Sequence, residues 1–160
     1  MIVFSMCEED LERIMRHPAA MIGSDGFSLA AEDGKAGSMV HPRSCGTYPR
    51  VLGRYVRQRQ TLALETAIAK MTGLPTRKLG LTDRGLLRTG HAADLVVFDP
   101  DTVADSATFE APHRYPVGIH YVVVNGQVVV QEGEHTGLLP GTVLKKSGPY
   151  HNRDVSAALA

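Results

Sequence analysis

Met21-Ile22-Gly23-Ser24-Asp25-Gly26 is a short apolar run that ends in a carboxylate flanked by Ser and Gly. Met21 and Ile22 suit a buried strand. Gly26 permits a sharp exit that leaves Asp25 at the strand's C-terminal end. In barrels of alternating strands and helices, that end collects catalytic and metal-binding side chains. The ordinary alternative is a strand followed by an Asx-turn, because Asp and Gly are common turn residues. The residues on either side decide between the two.

Upstream, Ser5 with Glu8 makes a capping-box pattern, and Glu8, Glu9 and Asp10 would sit in a first helical turn. Leu11, Ile14 and Met15 keep helical spacing up to Pro18. Helix followed at once by strand is half of an alternating α/β pattern. One strand makes no sheet, so the pattern reads as though preceding strands are missing.

Downstream, Gly26, Gly34, Gly37, Pro42 and Gly46 mark a long loop reaching to Tyr48. It contains His41-Pro42-Arg43-Ser44-Cys45-Gly46-Thr47. An Arg fork suits a carboxylate in bidentate geometry. The plain alternative is an exposed loop Arg beside an uninvolved His. Residues 49–60 read as a helix with Val51, Leu52, Tyr55 and Val56 on one face and Arg50, Arg54, Arg57 and Arg59 on a solvated one. Thr61 is the expected cap of a second helix, with Leu64, Ala67, Ile68 and Met71 on its apolar face and Gly73 and Pro75 closing it. Residues 76–81 read as one more helical turn.

After Gly85 the character changes. Asp94-Leu95-Val96-Val97-Phe98-Asp99 reads as a strand, and so does the run from Ile119 to Val124. Asn125-Gly126 then joins that run to Gln127-Val128-Val129-Val130, the strongest short-range hairpin signal. Residues 101–118 cross between strands, and the last ten residues read as a frayed tail.

The 160 residues are 43% hydrophobic and carry no net charge, which fits one ordinary domain and offers no basic stripe for nucleic acid. The longest apolar runs are too short to span a bilayer. The N-terminus lacks a basic segment and meets three acids at once, so no signal peptide is expected. Cys7 and Cys45 make no disulfide framework and read as reduced thiols, which points to a cytoplasmic protein.

Several stretches together carry a resemblance. They are Ser24-Asp25-Gly26, His41-Pro42-Arg43 with Gly46-Thr47, and Pro49-Arg50-Val51-Leu52-Gly53-Arg54-Tyr55-Val56. Lys70-Met71-Thr72-Gly73-Leu74-Pro75, Gly90-His91-Ala92-Ala93-Asp94-Leu95-Val96-Val97-Phe98-Asp99 and Val124-Asn125-Gly126 follow in order. The chain resembles the C-terminal third of the N-acyl-D-amino-acid deacylases (D-aminoacylases) of the amidohydrolase superfamily.

The resemblance implies an α/β fold. Residues 1–80 would be the C-terminal end of a TIM-type (β/α)8 metallo-hydrolase barrel, 81–145 strands of a small β-sandwich, and 146–160 a flexible tail. It implies a zinc-dependent enzyme that cleaves the amide bond of an N-acyl-D-amino acid. Asp25 would lie at the end of the last barrel strand, touch the metal and shuttle the proton from water to the leaving amine. Arg43 would hold the substrate's α-carboxylate, and His41 would orient the loop.

The superfamily's other metal ligands are not in this sequence, and none of the seven histidines forms His-x-His. Zinc needs three or four ligands. The chain alone is therefore expected neither to hold zinc nor to hydrolyse amides, and an N-terminal portion or a second copy is the expected partner. Competing expectations are a cyclic-amide hydrolase and a non-catalytic interaction module.

Overall fold

The computed structural model describes residues 6–27 and 40–145. The expected cap Ser5 and the 146–160 tail lie outside them. Among the described residues, four α-helices and one π-helix precede a four-stranded antiparallel sheet.

Helix α1 spans Glu8–Arg16, with Cys7 in the capping position and three acids in the first turn. The stretch 20–27 that follows forms neither helix nor strand. A strand exists only through a ladder of backbone bonds to a neighbour, and among the described residues the stretch's one backbone bond to a distant residue runs from the Ile22 N–H to the Lys70 carbonyl, 3.1 Å. The expectation of a strand at Met21–Asp25 is thus unmet among the described residues.

The loop expected to reach Tyr48 ends sooner. Helix α2 spans Arg43–Arg50 and carries Pro49 inside it. It starts after Pro42, whose fixed φ is already helical. Pro49 has no N–H to donate and crowds the preceding turn. The chain passes it by widening its register: a π-helix spans Val51–Gln58, and the Arg59 N–H returns to the Arg54 carbonyl, five residues back, at 2.8 Å. The predicted helix over 49–60 is therefore the second half of a longer, two-register helix.

Thr61 does not cap the next helix. Helix α3 spans Leu64–Met71 with Ala63 at its N-cap, and the Thr61 hydroxyl is buried without a partner among the described residues. Gly73 and Pro75 fall inside a further helix, α4, Gly73–Leu79, which ends on Gly80 in the left-handed region. Pro75 lies in its first turn, where a missing N–H removes no intrahelical bond.

The core sits between these helices. Met15, Val51, Tyr55, Leu62 and Ala67 are buried together, with Leu11, Ile22, Val56 and Met71 packed against them. The arginines expected on a solvated face are ties instead. Arg54 pairs with Glu8 at 3.2 Å and Arg50 with Asp105 at 2.9 Å. Arg57 donates to the carbonyls of Pro100 and Val103, and Arg59 pairs with Glu12.

The Arg59 guanidinium, with Arg16 beside it, holds the buried Glu12 carboxyl below the usual carboxylate range. A depressed folded-state pKa stabilises the fold above the unfolded-state value, and that stabilisation is lost as pH falls through the folded one. Acidification below about pH 4 is expected to lower the chain's thermal midpoint more than that of Glu12→Gln. Parallel losses in the two proteins would contradict this.

Strands β1 (Leu95–Phe98), β2 (Ile119–Val124), β3 (Gln127–Gln131) and β4 (Glu134–His135) form the sheet in sequence order. The hairpin between β2 and β3 turns on Asn125 and Gly126, φ 47° and 79°, as a type I′ turn requires. The crossing segment is not loose: Ala104 and Val117 bridge each other, and Val103 is 1% exposed.

The π-helix approaches this segment through Gly53. A Cβ there would lie 2.7 Å from the Val103 carbonyl oxygen and 3.2 Å from the Ala104 Cα. Both are backbone atoms that cannot swing aside. Gly53→Ala is expected to destabilise the chain by about 1–3 kcal/mol, read as a lower denaturation midpoint. An unchanged midpoint would contradict that close approach.

Candidate functional site

The stretch 20–27 and the start of α2 bring the sequence-predicted residues together. Asp25 lies in the left-handed region, φ 51°, a conformation that Asp tolerates better than most residues. Its carboxylate forms an ion pair with the Arg43 guanidinium, 2.9 Å. The Asp25 side chain is 82% exposed and that of Arg43 40%. Solvent at this pair screens the attraction, so its meaning lies in geometry rather than stability.

His41 stands beside them. Its Nδ1 accepts the Arg43 backbone N–H at 3.0 Å. Its ring meets Phe109 edge-on, with centroids 5.1 Å apart. The ring thereby links the start of α2 to the 101–118 segment. All three predicted residues thus share one surface region.

Two residues of this region were given no role of their own by the sequence. The Ser44 hydroxyl accepts the Phe27 N–H at 3.2 Å, pinning the exit from Asp25 to α2. Gly26 makes that pinning possible, since a Cβ there would meet the Ser44 Cα at 2.8 Å. Lys70 holds the entry side. A Ser directly after Arg43 and a Lys in an amphipathic helix look ordinary; only the fold reveals what they touch.

Burial pushes the neighbouring Cys45 thiol up, so it stays protonated and is a weak nucleophile and metal ligand at neutral pH. No three His, Cys, Asp or Glu side chains among the described residues converge as a metal site. Asp25 contributes one carboxylate, already engaged by Arg43. The described residues therefore do not by themselves fit a zinc ion. What they offer is an exposed carboxylate able to exchange a proton, next to a cationic fork able to seat a second carboxylate.

No helix among the described residues is long and apolar enough to cross a membrane. Residues 10–130 match the model of the amidohydrolase family, Amidohydro_3. The chain is 50% identical over 146 residues to a D-aminoacylase of Alcaligenes xylosoxydans xylosoxydans, covering 91% of this chain and 29% of that protein. A crystal structure of a D-aminoacylase superposes with TM-score 0.75 at 50% identity, over 83% of this chain and 27% of that one. The N-acyl-D-glutamate deacylase of Bordetella bronchiseptica, solved with zinc and a phosphonate mimic of the tetrahedral intermediate, superposes with TM-score 0.70 at 46% identity, over 81% and 27%. The chain thus spans less than a third of the length of the relatives it matches. The mixed α/β architecture agrees with those structures, and with the family model matching most of its residues, the chain belongs to the amidohydrolase family.

Proposed function

We propose that this chain is the carboxy-terminal segment of a zinc-dependent N-acyl-D-amino-acid deacylase, which hydrolyses a linear amide to a D-amino acid and a carboxylate. The observation that carries the reading is the adjacency of Asp25 and Arg43, in a chain half identical to a D-aminoacylase. On this reading residues 1–80 complete a TIM-type barrel and 81–145 supply strands of a β-sandwich.

Each residue then has a task. Arg43 binds the substrate's α-carboxylate, and its fork fixes the rotation of the acylated carbon. His41 holds the Arg43 backbone in place through its Nδ1. Asp25 takes a proton from water as the water's oxygen bonds to the amide carbon. It then gives that proton to the departing nitrogen as the C–N bond breaks. In a complete enzyme that binds zinc, Asp25 would be the carboxylate this segment offers to the metal, whose chemistry would be to lower the pKa of the attacking water. The remaining donors come from outside the described residues, either from an amino-terminal part or from a partner.

Uncovered apolar surface supports the need for such a part. Val96 and Val97 of β1 are half exposed, as is Leu86 before it, and Leu87 is more exposed still, a surface that invites covering. The substrate class is tested by splicing this chain in place of the matching segment of the Alcaligenes D-aminoacylase. The spliced protein is offered linear N-acetyl-D-amino acids and a cyclic amide such as a dihydropyrimidine. Turnover of the linear substrates alone is expected. Preference for the cyclic amide would assign the segment to a different amidohydrolase.

A further inference from the structure

Lys70 is 4% exposed, and lysines are almost never this buried unless their charge is met. Here it is met by carbonyl oxygens. Its ammonium donates to the carbonyls of His17 at 2.6 Å and Ala20 at 2.9 Å. His17 is the C-terminal cap of α1, where the helix dipole favours a cation; its carbonyl also accepts the Ala20 N–H at 3.1 Å. The Lys70 backbone carbonyl in turn accepts the Ile22 N–H at 3.1 Å. One residue of α3 therefore grips the chain at positions 17, 20 and 22, just before Asp25.

That grip matters because the stretch has no strand beside it among the described residues. Between Ala20 and Asp25, the polar ties to distant described residues are the hydrogen bonds made with Lys70 and the Asp25–Arg43 ion pair. Ile22 adds packing against the core. We infer that Lys70 is a positioning residue, its buried ammonium and its carbonyl together fixing the line along which the chain delivers Asp25 to Arg43. Its catalytic consequence rests on the role proposed for Asp25; the positioning itself does not.

Two variants separate these levels. Lys70→Met keeps the length and removes the ammonium donor from the Ala20 carbonyl and from the His17 carbonyl, which keeps the Ala20 N–H. Lys70→Arg keeps a buried cation with a different reach. Amide hydrogen exchange of the chain is read at Ala20 and Ile22 against Ala67 in α3. Exchange at the first two is expected to quicken about tenfold in Lys70→Met, and less in Lys70→Arg, with Ala67 unchanged. Where Lys70→Met fails to fold, Lys70→Arg alone carries the comparison. Equal quickening at all three amides, or none, overturns the inference, because a merely structural lysine loosens its own helix as well.

In the spliced enzyme, Lys70→Met is expected to lower kcat about tenfold with little change in KM, since Arg43 still seats the substrate. A kcat per folded molecule equal to the parent's would deny the catalytic consequence. Should the parent spliced enzyme show no deacylase turnover at all, the proposed function fails while the exchange result still decides the positioning.

Discussion

Asp25→Asn in the spliced enzyme is expected to lower kcat by about a thousandfold. Asn is the informative substitution for a backbone reason. Asp25 sits at φ 51°, and Asn accepts the left-handed region where Ala would add strain. The variant therefore removes the carboxylate proposed to exchange the proton while keeping the turn. It also removes the anion that occupies Arg43 in the free chain. KM should consequently stay level or fall, because the substrate's carboxylate no longer competes with an internal one. Turnover within about threefold of the parent would mean that another group moves the proton, since removing a general base costs far more than that.

The second large effect belongs to Arg43. Arg43→Lys keeps the charge but replaces a planar two-pronged donor by a point charge. Arg43→Ala removes both. KM for an N-acetyl-D-amino acid is expected to rise about tenfold in the first and roughly a hundredfold in the second, matching the strength of a charge-assisted bidentate contact. The control is the corresponding N-acetyl amine, which lacks the carboxylate. The parent should discriminate strongly against it, and Arg43→Ala should lose most of that discrimination. A variant that still prefers the carboxylate-bearing substrate would place the carboxylate seat on another residue.

What the residues announced in advance was mostly local. Asn125-Gly126 between two β-branched runs forms the hairpin because the turn's two positive φ values suit those two residues. Leu64–Met71 is helical because its apolar face repeats at helical spacing over two turns. Asp25, Arg43 and His41 are the residues the motifs single out for the proposed site, and the fold brings all three to one surface region.

What stayed hidden depended on partners distant in sequence. Met21–Asp25 has strand composition but lacks a neighbouring strand among the described residues, so composition alone could not make it one. Pro49 read as a helix start because proline ends α-helical ladders; it did not end this one, since the chain could widen its register instead. Arg50, Arg54, Arg57 and Arg59 looked solvated because their acceptors, Glu8, Glu12, Asp105 and two carbonyls, lie more than 40 residues away. β4 is two residues long, below the length at which alternation can be read.

The most direct measurement is stereochemical. The spliced, zinc-loaded enzyme is given N-acetyl-D-methionine and N-acetyl-L-methionine in separate reactions, with Asp25→Asn run alongside. Release of D-methionine, little or no release of L-methionine, and near-silence in Asp25→Asn is the expected result. A folded, zinc-loaded protein that hydrolyses neither enantiomer, or both at equal rates, would contradict the assignment of this segment to a D-amino-acid deacylase.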